Sequence, residues 1–377
     1  MHIADITMFH APHSGGVRRY LEAKRRWARK RFDHTLVVPA GTAMQRPGVR
    51  RLPAPSIPLG GGYRFPLRSA PWERCLEDLA PDLIEAGDPY RTAWAAVRAG
   101  HQLGVPVVGF YHSDVTRLIE IRFGRRARAA TALYLRHLYE QMDCVLAPSR
   151  VMVRRLQALG LDNVAYQPLG VDTALFHPRQ RDPTFRAGLG LPEDRRLLVF
   201  AGRPSAEKNI PVLLEAMCRL GGAYHLLLIG PGMPQCGARN VTVWPRYEGA
   251  GLPRVLASAD ALVHAGDRET FGLVVLEALA CGTPVAGVRA GAVAEIVPAD
   301  AGVLARPRDA GALASAIHDL CSSDPASIRL MRLAARRAVE ARWTWDRAFA
   351  TLLGRYLAIL GLDRHGAGAE MAPLAQG

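Results

Sequence analysis

The stretch AGDRETFGLVVLEALACGTPV, residues 265–285, decides how the second half of this chain folds. It follows a short apolar run, ALVHAG (261–266), passes through a helix-length apolar segment and ends at a further run, TPVAGV (283–288). A strand, a helix and a second strand in this order are typical of a βαβ unit. Glu277 lies among aliphatic residues in this helix, where a carboxylate is costly without partners. Two turns earlier, Glu269 lies at the helix mouth and should point the same way. A ribose diol suits such a carboxylate, and a buried glutamate held by backbone groups is the alternative.

The same alternation extends through the chain in both directions. The predicted strands of the first half are 2–9, 34–39, 82–87, 105–112, 144–149 and 163–168, and those of the second half are 196–202, 224–230, 241–244, 261–266, 283–288 and 302–306. Near-continuous apolar strands with helical crossovers predict parallel sheets covered on both faces. The Pro- and Gly-rich region 41–71 reads as a long surface loop, and the polar segment 169–194 reads as a linker. The sequence therefore predicts an α/β protein of two doubly wound domains with a crevice between them.

Length and composition agree with two soluble domains. The 377 residues exceed what one hydrophobic core usually holds. No apolar run approaches the ~18–20 residues of a membrane span, and the first residues lack the layout of a secretory signal. The six cysteines form no close pair, which argues against disulfides or zinc and favours a reducing cytoplasm.

Basic residues are concentrated in the first half. Residues 1–185 hold 27 basic and 16 acidic side chains out of 48 and 34 in the chain. Such a field favours phosphates, nucleic acid or an anionic membrane, although a solvated helix face is an equal alternative. The segment 116–139 mixes arginines with apolar residues, as a helix lying in a membrane interface would.

Three further motifs contain candidate ligand-binding residues. Gly16 stands where a strand passes into a basic helix, so that the backbone can approach a phosphate, although a tight turn is the simpler reading. Arg203 and Lys208 flank the turn after a strand and could clamp a diphosphate. Lys208 is the only lysine after position 30 in a chain with 45 arginines. His112 ends a predicted strand beside Asp114, where a buried structural histidine is the alternative.

The motifs GGV (15–17), GR-x-x-x-EKN (202–209) and ETFGLVVLEALACGTPV (269–285) together strongly resemble glycosyltransferase family 4. The segments PSRVMVRRL and GVDTALFHP, within residues 148–178, are similar to the interdomain region of that family. The resemblance implies the GT-B architecture of two facing Rossmann-like domains. The domains would be 1–170 on the acceptor side and 195–342 for the nucleotide sugar. Residues 171–194 would link them, 343–360 would form a helix packing back on the first domain, and 361–377 would be a disordered tail.

The resemblance also implies roles for individual residues. Arg203 and Lys208 would hold the donor diphosphate with Gly16 opposite, and Glu277 would hold the ribose. Glu269 would contact the donor hexose with backbone groups of Phe271, Gly272 and Leu273, and His112 would lie near the transferred sugar. The expected catalytic residues are therefore His112 and Glu269. A role for Glu295 is in doubt, because AGAVAE (290–295) departs from the family pattern.

The implied reaction moves a hexose from a nucleotide-diphosphate sugar to a lipid or glycan acceptor with retention of configuration. GDP-mannose or a UDP-hexose would be the donor. The chain has no D-x-D motif, so we expect no metal and no cofactor. The enzyme would be cytoplasmic, with an anionic membrane surface as an expected contact and no nucleic acid. A nucleotide-sugar epimerase of the same architecture is the alternative, and a basic nucleic-acid-binding protein is a weaker one.

Overall fold

The protein is described from a computed structural model, which covers residues 1–11, 15–57, 62–245 and 251–362. The first sheet consists of β1 (His2–Ile6), β2 (Asp33–Ala40), β3 (Met44–Arg46), β4 (Val49–Pro53), β5 (Leu83–Ala86), β6 (Val107–Phe110), β7 (Cys144–Ala147) and β8 (Val164–Tyr166). The second consists of β9 (Arg196–Ala201), β10 (Tyr224–Ile229), β11 (Val241–Trp244), β12 (Ala261–His264), β13 (Val285–Val288) and β14 (Gly302–Ala305). Every strand predicted from the sequence is present.

Helices cover both sheets. They are α1 (Gly16–Ala28), α2 (Ala70–Leu79), α3 (Arg91–Leu103), α4 (Val115–Tyr139), α5 (Arg150–Gln157), α6 (Phe185–Gly188), α7 (Ile210–Leu220), α8 (Gly251–Ser258), α9 (Leu273–Ala280), α10 (Val293–Ile296), α11 (Ala310–Ser322), α12 (Pro325–Arg342) and α13 (Trp345–Ile359). Short 3₁₀ turns stand at Pro178–Gln180, Ala206–Lys208 and Gly221–Ala223. The inner strands of both sheets are almost entirely buried, as expected for sheets with helices on both faces.

The order of the strands places the functional residues. The second sheet runs β11-β10-β9-β12-β13-β14 and is wholly parallel. The first runs β3-β4-β2-β1-β5-β6-β7-β8 and is parallel except for the β3–β4 pair. Both contain the Rossmann order, in which the chain reverses direction beside the first strand, and ligands bind at the carboxyl ends of the strands at that point. The predicted doubly wound α/β fold is confirmed.

One local prediction was wrong. Residues 44–53, expected to be loop, form β3 and β4, and β4 pairs in parallel with β2. This edge strand is only half buried, so its arginine-rich sequence has no continuous apolar run. The basic segment 116–139 lies in α4, which is kinked at Gly124, where φ is 82°. A glycine takes that left-handed conformation at little cost.

The last helix lies against the first sheet and completes its buried polar cluster. Lys24, 1% exposed, donates hydrogen bonds of 2.7 Å to Asp5 and to the Tyr356 hydroxyl, and its ammonium lies 3.0 Å from Glu85. Burial disfavours ionised Asp5, but Lys24 and His34 outweigh burial and lower its pKa to about 2. The Tyr356 hydroxyl of α13 thus completes the hydrogen bonding of the buried Lys24 and Glu85. Of the tail predicted to be disordered, residues 363–377 lie outside the described residues.

Candidate active site

The predicted site residues all come from loops and helix starts at the carboxyl ends of strands. Gly16 begins α1 after β1, and His112 follows β6. Arg203 and Lys208 follow β9, and Glu269, Phe271 and Gly272 lie between β12 and α9. Leu273 begins α9 and Glu277 lies inside it. The facing edges of the two sheets therefore bring these residues to one cleft.

Glu269 is the centre of an ionic cluster. The Lys208 ammonium donates to Glu269 Oε1, and His264 Nε2 lies 2.9 Å from the same oxygen. Glu269 is 8% exposed. Burial alone would raise its pKa, but the charge of Lys208 and the His264 hydrogen bond outweigh burial and hold the pKa well below its usual range. Glu269 is therefore a fixed anion at neutral pH and accepts hydrogen bonds.

His264 was not predicted as a site residue. It ends β12 and is fully buried. The Gly266 amide donates to its Nδ1 at 3.2 Å, so Nε2 carries the proton that is shared with Glu269. Position 266 requires glycine, because a Cβ there would stand 2.6 Å from the His264 ring. A histidine at the end of a buried strand was the available signal, although the sequence did not connect it with Glu269.

A second link ties the lysine turn to the glutamate loop. Asn209, with φ 48°, ends the turn that contains Lys208, and its side-chain amide donates to the Ala265 carbonyl at 3.1 Å. Asparagine is among the few residues that tolerate this left-handed conformation. The two motifs GR-x-x-x-EKN and E-T-F-G thus form one rigid unit, with Lys208 held over Glu269.

Glu277 is buried, with 2% of its surface exposed, and it meets the other domain. One of its carboxylate oxygens, Oε1, pairs with the Arg19 guanidinium of α1. Its second oxygen, Oε2, has no hydrogen-bond partner among the described residues. A buried carboxylate oxygen without a donor is costly, and it is available to a ligand hydroxyl.

The two helix starts approach one another across the cleft. A Cβ on Gly16 would lie 3.0 Å from the Leu273 side chain, so the start of α1 faces the start of α9. Gly272, with φ 89°, precedes α9, and no side chain caps this helix. Its first amides are therefore open to an anion. Phe271 is packed into the core, which leaves only its backbone for a ligand.

Arg203 and His112 complete the predicted set. Arg203 is exposed beside the turn, and in the described ranges its guanidinium pairs with no carboxylate. His112 is stacked on Phe110 at 4.0 Å and is 8% exposed. Burial, helped by the charge of Lys24, lowers the pKa of His112 to about 3. Its imidazole is neutral at physiological pH, and Nε2 is buried with no partner in the part of the chain that the structure describes.

Glu295, whose role was in doubt, joins the two domains. Its carboxylate accepts hydrogen bonds from the Arg150 and Val151 amides at 2.8 and 2.7 Å, which are the first amides of α5. A carboxylate at a helix start also favours the helix dipole. Thr270 makes a second link, donating its hydroxyl to the His112 carbonyl at 3.2 Å. These contacts fix residues 269–272 and α10 of the second domain against the first domain.

No group of three or more His, Cys, Asp or Glu side chains among the described residues is placed to hold a metal ion. None of the described helices combines the length and apolar character that a bilayer crossing demands.

Two facing Rossmann sheets with cations, helix starts and buried carboxylates at their shared edge define a two-domain enzyme that binds nucleotide sugars. Comparison with known proteins identifies the family. Residues 195–323 match the model described as glycosyl transferases group 1, and residues 13–175 match that described as Glycosyltransferase Family 4. This chain belongs to glycosyltransferase family 4.

The relatives match most of the chain. The chain is 33% identical over 373 residues to the GDP-mannose-dependent alpha-(1-6)-phosphatidylinositol dimannoside mannosyltransferase of Mycobacterium tuberculosis, covering 94% of this chain and 95% of that protein. It is 32% identical over 292 residues to the GDP-mannose-dependent alpha-mannosyltransferase of Mycolicibacterium smegmatis, covering 76% of each. The sucrose-phosphate synthase structure from Thermosynechococcus elongatus superposes with a TM-score of 0.79 at 22% identity, covering 96% of this chain and 99% of that one. The predicted GT-B fold and glycosyltransferase activity are confirmed.

Proposed function

We propose that this glycosyltransferase is retaining and metal-independent, and that it moves mannose from GDP-mannose to a lipid or glycan acceptor. The observation that supports the proposal is the buried Oε2 of Glu277, which has no donor among the described residues and would accept a ribose hydroxyl. GDP-mannose is favoured over a UDP-hexose because the two relatives with the stated identities are named as GDP-mannose-dependent.

The leaving diphosphate would meet three kinds of positive group. These are the Arg203 guanidinium, the Lys208 ammonium and the uncapped start of α9. Preorganised charges of this kind stabilise the anion that develops as the bond to the sugar breaks. This is why we propose that the protein itself supplies the charge that a metal supplies in other transferases.

The proposed retention is based on the protein groups of the cleft. His112 has a pKa of about 3, so it is a weak base for an acceptor hydroxyl. Asp114 caps α4 and pairs with Arg155. In the proposed step the acceptor oxygen bonds to the anomeric carbon on the face that the diphosphate leaves. A diphosphate oxygen accepts the proton of the acceptor, so no protein base is required.

Thermal shift with GDP-mannose, UDP-glucose and ADP-glucose tests the donor. A ligand at 100 times its Kd stabilises the folded state by about 2.7 kcal/mol, so GDP-mannose should raise Tm and the others should not. Arg203→Gln should abolish the shift, and Arg239→Gln, an exposed arginine elsewhere in the same domain, should keep it. A shift with UDP-glucose alone would refute the assigned donor.

Product analysis tests the reaction. NMR of the new glycosidic bond should show the configuration of the donor, and an inverted product would refute retention. Activity should survive EDTA, and a loss that Mg²⁺ restores would refute metal independence.

The membrane contact predicted from the sequence has a structural counterpart at the kink of α4. Leu118, Ile121 and Phe123 are 47%, 48% and 66% exposed, beside the exposed Arg122 and Arg125. Apolar side chains bordered by basic ones suit the interface of an anionic bilayer. We therefore propose that α4 brings the enzyme to the membrane that holds a lipid acceptor.

Cosedimentation with vesicles separates this contact from general charge attraction. Wild type should bind vesicles with anionic lipid more strongly than neutral ones. Phe123→Ser should weaken binding, whereas Leu330→Ser should leave it unchanged, because Leu330 is 67% exposed on α12 of the other domain. Equal binding by both variants would contradict insertion of α4.

A further inference from the structure

Five arginines converge on a cavity that the donor site does not use. The cavity has a volume of about 400 Å³ and lies between the domains. Its arginines, three from the first domain and two from the second, are Arg117, Arg128, Arg155, Arg268 and Arg308. Two carboxylates, Asp114 and Asp267, also line it. Asp114 pairs with Arg155, and Asp267 pairs with Arg268 and Arg308. Glu120 of α4 pairs with Arg117 and Arg128. The five arginines still exceed these three carboxylates by two positive charges.

We propose that this cavity binds a phosphate group carried by the acceptor. The inference rests on the proposed function and assigns the chemical class of its second substrate, a phosphate ester. Guanidinium groups that approach from several directions match the oxygens of a phosphate better than those of a single carboxylate. A site built from both domains would also be completed only when they face each other.

A smaller cavity connects this pocket with the reacting centre. It has a volume of about 90 Å³ and shares Arg117 and Arg268 with the larger one. Its remaining lining includes Glu269 and the apolar Leu118 and Ile121 of α4. Of the residues assigned to the donor, only Glu269 borders either space. An acceptor can thus place its phosphate among the arginines while a hydroxyl group faces the donor sugar.

The backbone at Arg308 is a second, independent observation. Arg308 has φ 60°, a left-handed conformation that is uncommon for residues other than glycine, asparagine and aspartate. Strain of this kind persists where the surrounding structure requires it and is concentrated at functional sites. Its side chain is 57% exposed and reaches Asp267 at 2.7 Å on the rim of the cavity. A ligand that binds the guanidinium would explain why an arginine occupies a position that favours glycine.

Equilibrium titration of protein saturated with GDP tests the pocket, because GDP fills the phosphate sites of the donor. We expect D-inositol 3-phosphate to bind and inositol to show no binding. Arg155→Gln and Arg308→Gln should each weaken binding roughly tenfold, as for the loss of a charge-assisted contact. Arg306→Gln is the matched control, since Arg306 lies two residues away, 83% exposed and outside the cavity. It should change affinity less than twofold.

Two further measurements make the test specific. Arg308→Gly should lose phosphate affinity like Arg308→Gln yet melt at a higher temperature, because glycine relieves the left-handed backbone. Phosphatidylinositol in nanodiscs, compared with phosphatidylcholine, identifies the source: preference for the lipid over the free ester supports a lipid acceptor, and equal binding supports a soluble one.

Either source supports the phosphate pocket. Binding of inositol equal to that of its phosphate, or an equal loss in Arg306→Gln, would overturn it. Mannose transfer is measured separately, so the result on phosphate binding is still valid if the assigned donor proves wrong.

Discussion

Replacing Lys208 by methionine removes the ammonium group that pairs with Glu269 while keeping most of the side-chain volume. In the folded protein this ammonium is 18% exposed and the Glu269 side chain 9% exposed, so the pair is largely withdrawn from water. After the change, His264 is the one close partner that the Glu269 carboxylate retains among the residues that the structure describes. Donor binding and local stability should both suffer, for separate reasons.

The substitution has two costs, one in activity and one in stability. Loss of one charge-assisted contact to a diphosphate costs about 1.5–3 kcal/mol, or roughly 10- to 150-fold in kcat/KM. Breaking a buried ion pair from one side costs about 3–5 kcal/mol of stability, and the lower end applies because His264 remains. Glu269 should also regain protons more easily, since Lys208 is the main charge that lowers its pKa.

The assay measures kcat/KM and urea unfolding for Lys208→Met and for the double variant Lys208→Met with Glu269→Gln. Lys30→Met is the control, because Lys30 is an exposed lysine just after α1. The double variant should recover stability relative to Lys208→Met, because no buried carboxylate is left unpaired, while its activity stays low. Lys30→Met should match wild type. Unchanged kcat/KM in Lys208→Met, or equal stability of the single and double variants, would refute the reasoning.

The pH dependence has a defined sign. The pKa of Glu269 is lower in the folded state than its ordinary 4.5, so the pair contributes stability above about pH 4.5 and loses it as pH falls below that value. Wild type should therefore lose more stability than Lys208→Met on going from pH 5 to pH 3. The opposite order in urea titrations would contradict the assignment.

Three other outcomes are expected. Glu277→Gln should raise KM for the donor with little change in kcat, whereas Glu269→Gln should lower kcat as well, because it would contact the reacting sugar; identical steady-state profiles would contradict this division. Glu295→Ala should speed hydrogen exchange at the first two amides of α5 and enlarge the radius of gyration in X-ray scattering, and unchanged values of both would show that the carboxylate does not hold the domains. His112 has a pKa lowered to about 3, so only the unfolded state takes up its proton between about pH 6.5 and 3, and stability falls with pH there. His112→Phe should flatten that fall in urea titrations, and a slope equal to that of wild type would contradict a neutral His112.

The two sheets could be predicted because each buried parallel strand is a local run of apolar residues that is visible in the sequence. The edge strand β4 was missed, because a half-buried strand needs no such run. The motif residues were predicted from local spacing and chemistry, and the sequence also placed Glu277 correctly in an apolar helix.

Contacts between distant segments could not be predicted. Arg19 pairs with Glu277 across the cleft, and the sequence around neither residue predicts this contact. Lys24 stands in a run of exposed basic residues, yet it is buried by a tyrosine 332 positions away. Glu295 was set aside because its neighbours depart from the family pattern, although its contacts depend on its carboxylate alone.

The return of α13 to the first sheet has a consequence for biosynthesis. Translation delivers β1 and α1 first, but the tyrosine that completes the Lys24 cluster arrives only after the entire second domain has been made. While the second domain is being made, the Lys24 ammonium and the Glu85 carboxylate each lack their hydrogen bond with the Tyr356 hydroxyl. A gene cut between the domains would make this state permanent, so the first domain produced alone should be less stable than it is in the whole protein.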